Sequence, residues 1–249
     1  MATRDNLKHA IRASCEIVQQ PGVIIIGSQS ILATWPEAEL PEVALQSMEL
    51  DVCPLADDAA ESLADVLDGA LGELSLFHET HGFYVDGVGK HTAILPGGFE
   101  QRLVAVTDPD TKGYLGYCLD PHDLCVAKLA ANRDKDRTFV AALINAHLVD
   151  PKVIDERLFW TDLTDHQLTA ARSFLAEYAT TWNVLGLTAH TPSASLGSPS
   201  APQVYDLVRQ VRETTTEHLR DMTPAQREAR ELDGRHSPSS GSAVQGPGR

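Results

Sequence analysis

Leu7, Ile11, Ile17 and Val18 recur at near-helical spacing over residues 5–20 and stop at Pro21 and Gly22, which predicts an opening amphipathic helix. A β-branched apolar run, Val23–Ile26, follows and ends at Gly27, as a buried strand does. After a proline-containing connection with a short helical turn, Ser47 to Cys53 alternates polar and apolar residues and predicts a second strand. Asp58 with Glu61 three residues later has capping-box spacing and predicts a helix to about Leu71. From Leu74 to Cys118 the pattern breaks into short extended pieces, His91–Leu95, Gln101–Thr107 and Tyr114–Cys118, separated by glycine and proline turns.

Asp120 followed by Pro121 reads as an N-cap with proline in the first turn, launching a helix through Leu124, Ala127, Lys128 and Ala131. Phe139–His147 and Asp165–Val184 are both amphipathic, the latter opened by Thr164 and Gln167 in capping-box spacing. The fold class that results is α/β, a mixed β-sheet flanked by helices with a helical C-terminal part. The divisions expected are a domain over 1–148, a helical extension over 149–189, a Ser- and Pro-rich linker over 190–202, C-terminal helices over 203–232 and a disordered tail over 233–249.

The 249 residues suffice for one large domain with an appendage. Against 35 Asp and Glu stand 20 Lys and Arg, a formal charge of −15, which opposes sequence-independent gripping of a phosphate backbone. The longest candidate apolar run, Val23–Ile26, is far too short to span a bilayer, and Met1 to Lys8 is too polar for a signal peptide. Four cysteines without a CxxC pair read as reduced thiols of a cytoplasmic protein. His78 and His81 lack the HExxH pattern of a zinc hydrolase. Gly89, Lys90 and His91 do not make a P-loop, because Tyr84 stands at its first glycine and His91 at its Ser or Thr. GxGxxG is absent, and GSQS fails the GxSxG pattern of a nucleophile elbow.

Three features carry chemistry. Glu49 and Asp51 alternate with apolar residues, so a strand points both carboxylates one way; on a buried face they ask for a counter-charge, most simply a divalent metal, and otherwise they form a solvated strand face. Gly27 and Ser28 directly follow the apolar strand, where a small residue, a hydroxyl and the amides of a helical first turn can hold phosphate; alone, the pair is also an ordinary turn. Lys128 sits among Val126, Ala127, Leu129 and Ala130, the context of a partly buried lysine that needs an anion or of one that snorkels at the core rim.

A strand ending in GS, a strand with two alternating acids, and a lysine helix with a downstream KD together resemble the nucleotidyltransferase superfamily that includes DNA polymerase beta. DLCVAKLAANRDKD with GSQSIL is similar to a bacterial branch related to the AbiEii-type toxins of toxin–antitoxin systems. The resemblance spans about residues 20–145. It implies a nucleotidyltransferase-like sheet domain in which Gly27 and Ser28 form the nucleotide-phosphate loop, Glu49 and Asp51 bind metal, and Lys128 binds nucleotide phosphate. Asp136, with Asp134 as a weaker match, completes the catalytic set. Arg133 and Arg102 are candidates for further phosphate contacts, with an ordinary surface or structural arginine as the favoured reading of each. Glu100 and Asp108 both border a strand suited to a third acid. The implied activity is Mg2+- or Mn2+-dependent transfer of a nucleoside monophosphate from a nucleoside triphosphate to a hydroxyl on RNA or protein, with an antitoxin-like protein partner. Because Glu49 replaces the commoner Asp, a non-catalytic nucleotide-binding or protein-interaction member of the same fold is the alternative.

Overall fold

A computed structural model describes residues 1–55, 62–89, 91–197 and, beyond them, Gln203, Asp206, Leu207, Arg209, Gln210 and Glu213. The chain opens with α1 (Arg4–Val18), whose N-cap Thr3 and Asn6 exchange side-chain and backbone hydrogen bonds and whose Leu7, Ala10, Ile11 and Cys15 face the core. It then enters β1 (Gly22–Ile25), buried along its whole length. A 3-10 turn, Ser28–Ala33, follows at once, so the strand delivers Gly27 and Ser28 to one edge of the sheet.

β2 (Glu49–Pro54) returns antiparallel to β1, with Ile25 opposite Val52. Next come α2 (Ser62–Leu71), α3 (Leu76–His81) and β3 (Tyr84–Gly87), which lies parallel to β2 with Asp51 opposite Asp86. β4 (Val104–Val106) and β5 (Leu115–Cys118) pair antiparallel, and β5 runs parallel to β1. The sheet is therefore mixed, in the order β3-β2-β1-β5-β4. Helices follow: α4 (Pro121–Ala131), α5 (Asp134–Asn145), α6 (Pro151–Leu158) and α7 (Asp165–Leu185). The α/β class expected from the sequence is what forms. Among the described residues no helix is long and apolar enough to cross a membrane.

Local expectations needed correction. His91–Leu95 is a turn followed by irregular chain, and the strand of that region is Tyr84–Gly87, which pairs with β2. Of Gln101–Thr107 only Val104–Val106 is strand, since Phe99–Arg102 coils into a 3-10 turn. α5 begins at Asp134 rather than Phe139: Asn132 ends α4 in the left-handed region (φ 52°), and the helix restarts two residues later on polar residues that hide its first turn from an apolar count.

The Asp58–Glu61 capping box and nearly all of 203–249 lie outside the described residues. The chain divides into a first unit, Met1–Val211, which is compact over its described residues, and a remainder, Arg212–Arg249. Within the first, the segment read as the start of a linker is tied down: the Leu196 amide donates to the Ala33 carbonyl at 2.8 Å, and Gly197 bridges Val106 on the β4 edge.

Candidate active site

The period of a strand places Glu49 and Asp51 on one face of β2, and the register sets Asp86 directly beside Asp51 on β3. Each of the three half-buried residues presents a carboxylate oxygen within 4.8 Å of the other two. Like charges opposed across a ladder destabilise it. Burial, then Glu49 and Asp86, push the Asp51 carboxyl up to about 6, with Lys128 pulling the other way. Burial, Asp68 and Glu49 push Asp86 up to about 6 as well. The Tyr84 hydroxyl reaches Glu49 Oε2 at 3.4 Å.

The Gly27 turn packs against these acids. A Cβ built on Gly27 would lie 1.5 Å from Asp51 Oδ2 and 2.9 Å from Asp51 Cβ, so no other residue fits there with the acid in place. The Ile26 amide donates to the Asp51 carbonyl at 3.0 Å and the Ser30 amide to the Gly27 carbonyl at 3.0 Å, which fixes the turn on the acid strand.

Facing the acids is a cationic wall. Lys128 Nζ lies 3.2 Å from Asp136 Oδ1 and 4.8 Å from the centre of the Phe139 ring. Arg133 Nε approaches Asp136 Oδ2 at 2.5 Å, and its Nη2 reaches Oδ1 at 3.3 Å. Burial alone would raise the Asp136 carboxyl, but hydrogen bonds from Arg133 and the charge of Lys128 overcome it and hold the group below its ordinary value. Asp136 raises Arg133 in return, reinforced by Asp51 and Glu49. Asp136 thus sits among cations, apart from the three acids, and Asp134 pairs outward with Arg137.

A cavity of about 850 Å³ joins the two sides. Gly27, Ser28, Glu49, Asp51, Asp86, Lys128, Arg133 and Asp136 all line it, and Leu124, Ala127, Ala130 and Ala131 of α4 supply an apolar flank. Gly27, Ser28, Glu49, Asp51, Lys128, Arg133 and Asp136, named from the sequence, are therefore brought to one cavity. The volume lies in the range of small-molecule and cofactor sites.

Over residues 6–182 the chain matches the family described as "Nucleotidyltransferase of unknown function (DUF6036)". It belongs to that family. No curated protein and no solved structure matches it. The nucleotidyltransferase superfamily inferred from GSQSIL, the Glu49–Asp51 pair and the Lys128 helix is the right one.

Other candidate side chains of this family member lie away from the cavity. Arg102 takes the structural one of its two readings: its Nε and Nη2 bind the buried carboxylate of Asp123 at 2.8 and 3.0 Å. Asp108 caps the 3-10 turn Pro109–Thr111 and pairs with Lys8 at 2.7 Å, and Glu100 lies in the turn before β4. The acid that joins Glu49 and Asp51 is Asp86, which the sequence reading missed. Its signal was Tyr84-Val85-Asp86-Gly87, a run whose single inward Val85 is too little to mark a strand.

The donor set suits a divalent cation. Three carboxylates in mutual repulsion, all hard oxygen donors, form an acidic triad that could hold a metal ion.

Proposed function

We propose that the protein moves a nucleoside monophosphate from a nucleoside triphosphate to a hydroxyl on RNA or protein. One observation carries the reading: the Glu49–Asp51–Asp86 carboxylates, the Gly27–Ser28 turn and the Lys128–Arg133 cations line the same cavity. In this reading Glu49, Asp51 and Asp86 hold Mg2+ or Mn2+. A divalent ion bound there supplies charge neutralisation to phosphoryl oxygens and a lowered pKa at an attacking hydroxyl.

The chain's own groups do the rest. Gly27, lacking a side chain, leaves room for phosphate beside the acids, and the Ser28 hydroxyl and nearby amides donate to its oxygens. Lys128 and Arg133 turn from Asp136 toward the phosphates and offset the charge that grows as the bond between the α- and β-phosphates breaks. Pyrophosphate leaves, and the nucleoside monophosphate stays on the acceptor oxygen. Much of the rate gain is positioning. The AbiEii-like resemblance adds an antitoxin-like protein partner to the proposal, and the unpaired cysteines with the polar N-terminus support a cytoplasmic setting.

The test is incubation with Mg2+, cell extract and each of the four labelled nucleoside triphosphates. Label in RNA or protein is expected, cut at least about 100-fold by Glu49→Ala or Asp51→Ala. Undiminished labelling by those variants removes the reading.

A further inference from the structure

Gln29 is one of two buried residues of the GSQS turn, with Ser30. Its side chain is fully buried, and Nε2 donates to the Ser47 carbonyl at 3.1 Å. Ser47 Oγ accepts in turn from the Glu49 amide at 3.2 Å. A short chain of contacts thus runs from the segment that carries Ser28, behind the cavity wall, to the first of the three acids. The other end of the Gln29 amide, Oε1, is buried with no hydrogen-bond partner. An orphaned acceptor costs free energy that an apolar side chain of the same volume would not. Ser30 Oγ is orphaned in the same six-residue 3-10 turn, which is longer than such turns usually run, and Thr34 Oγ1 and Trp35 Nε1 are orphaned just beyond its end. A buried glutamine that serves stability poorly and bridges two functional segments is placed for the site rather than for the fold.

We propose that Gln29 is a positioning residue that holds the phosphate turn and the acid strand at a fixed separation, so that cation and triphosphate bind as a coupled pair. The proposal rests on the nucleotidyl-transfer reading above. Gln29→Met keeps the volume and removes both the donor and the orphaned acceptor. Mn2+ binding, followed by paramagnetic resonance with and without ATP, GTP, CTP or UTP in turn, reads the coupling apart from turnover.

In the wild type each ligand tightens the other, by about tenfold for the preferred nucleotide. In Gln29→Met the coupling falls to near unity while the melting midpoint stays level or rises. Ser47→Ala, which cuts the next link without touching the buried amide, lowers the coupling in the same way. Coupling that survives both substitutions overturns the positioning role. So does a Gln29→Met midpoint lowered by more than about 3 °C with coupling intact, which makes the residue structural. Wild-type protein that binds neither Mn2+ nor any triphosphate sinks the transfer reading itself.

Discussion

At Gly27 one hydrogen atom stands where any side chain would strike the Asp51 carboxylate. Gly27→Ala must push Asp51 off its position. The overlap reaches Asp51 Cβ, so rotating the carboxylate alone does not relieve it. The expected cost is about 1–3 kcal/mol, measured by denaturant titration, together with loss of Mn2+ binding. At Asp51 itself, stability and function pull apart. With its carboxyl pushed up to about 6 from an ordinary 3.8, the folded protein holds that proton more tightly than the unfolded chain does. This contribution is therefore most favourable below about pH 4, is lost as pH rises through 6, and stays lost above. Asp51→Asn should raise the stability of chelator-treated protein at pH 8 by about 3 kcal/mol, with little gain at pH 4. Thermal melts at the two pH values check the sign.

The helix that carries Lys128 is anchored by an ion network around the buried Asp123. Asp123 has no exposed side-chain surface and pairs with Arg102 and with Arg157 Nη1 at 2.9 Å, and Arg157 also binds Asp120, the N-cap of α4. Burial would raise Asp120, but its hydrogen bond with His122 and the charge of Arg157 bring it down to about 2. Its contribution is present above about pH 4 and is lost as pH falls toward 2, about 2 kcal/mol that acid titration should reveal. Arg157→Met strips a counter-charge from two acids and should cost about 3–5 kcal/mol by urea unfolding. Legibility also varies by element. β1 and β2 could be read because a β-branched run and strict alternation are local signals, and α4 because Asp120-Pro121 announces its start. β3 could not, since its Asp86 gains meaning only from its register with Asp51 on another strand. The Lys128–Asp136 contact escaped for a related reason: it spans the left-handed break at Asn132, which a single helical period does not describe. The need for glycine at 27 is likewise a tertiary contact and leaves no trace in its own segment.

Over the whole molecule, charge is divided along the chain. Between Arg12 and Lys90 there is no Lys or Arg, while 14 Asp and Glu occur there, the Glu49, Asp51 and Asp86 carboxylates among them. The cations that face these acids come from α4 and the start of α5. The acids crowded against this cavity stand to gain from a divalent ion. At about 100 times its dissociation constant, Mg2+ should add about 2.7 kcal/mol. That corresponds to a rise in melting midpoint of about 5–10 °C, absent in Asp51→Asn and reversed by chelation. The methyl-lined flank of α4, formed by Ala127, Ala130 and Ala131 with Leu124, has a practical corollary. It offers a shelf for a flat, uncharged heterocycle, so an inhibitor could take its grip from dispersion there and leave the rival charges of the opposite wall unengaged. Bulkier side chains introduced at Ala127 would then be the expected route to resistance.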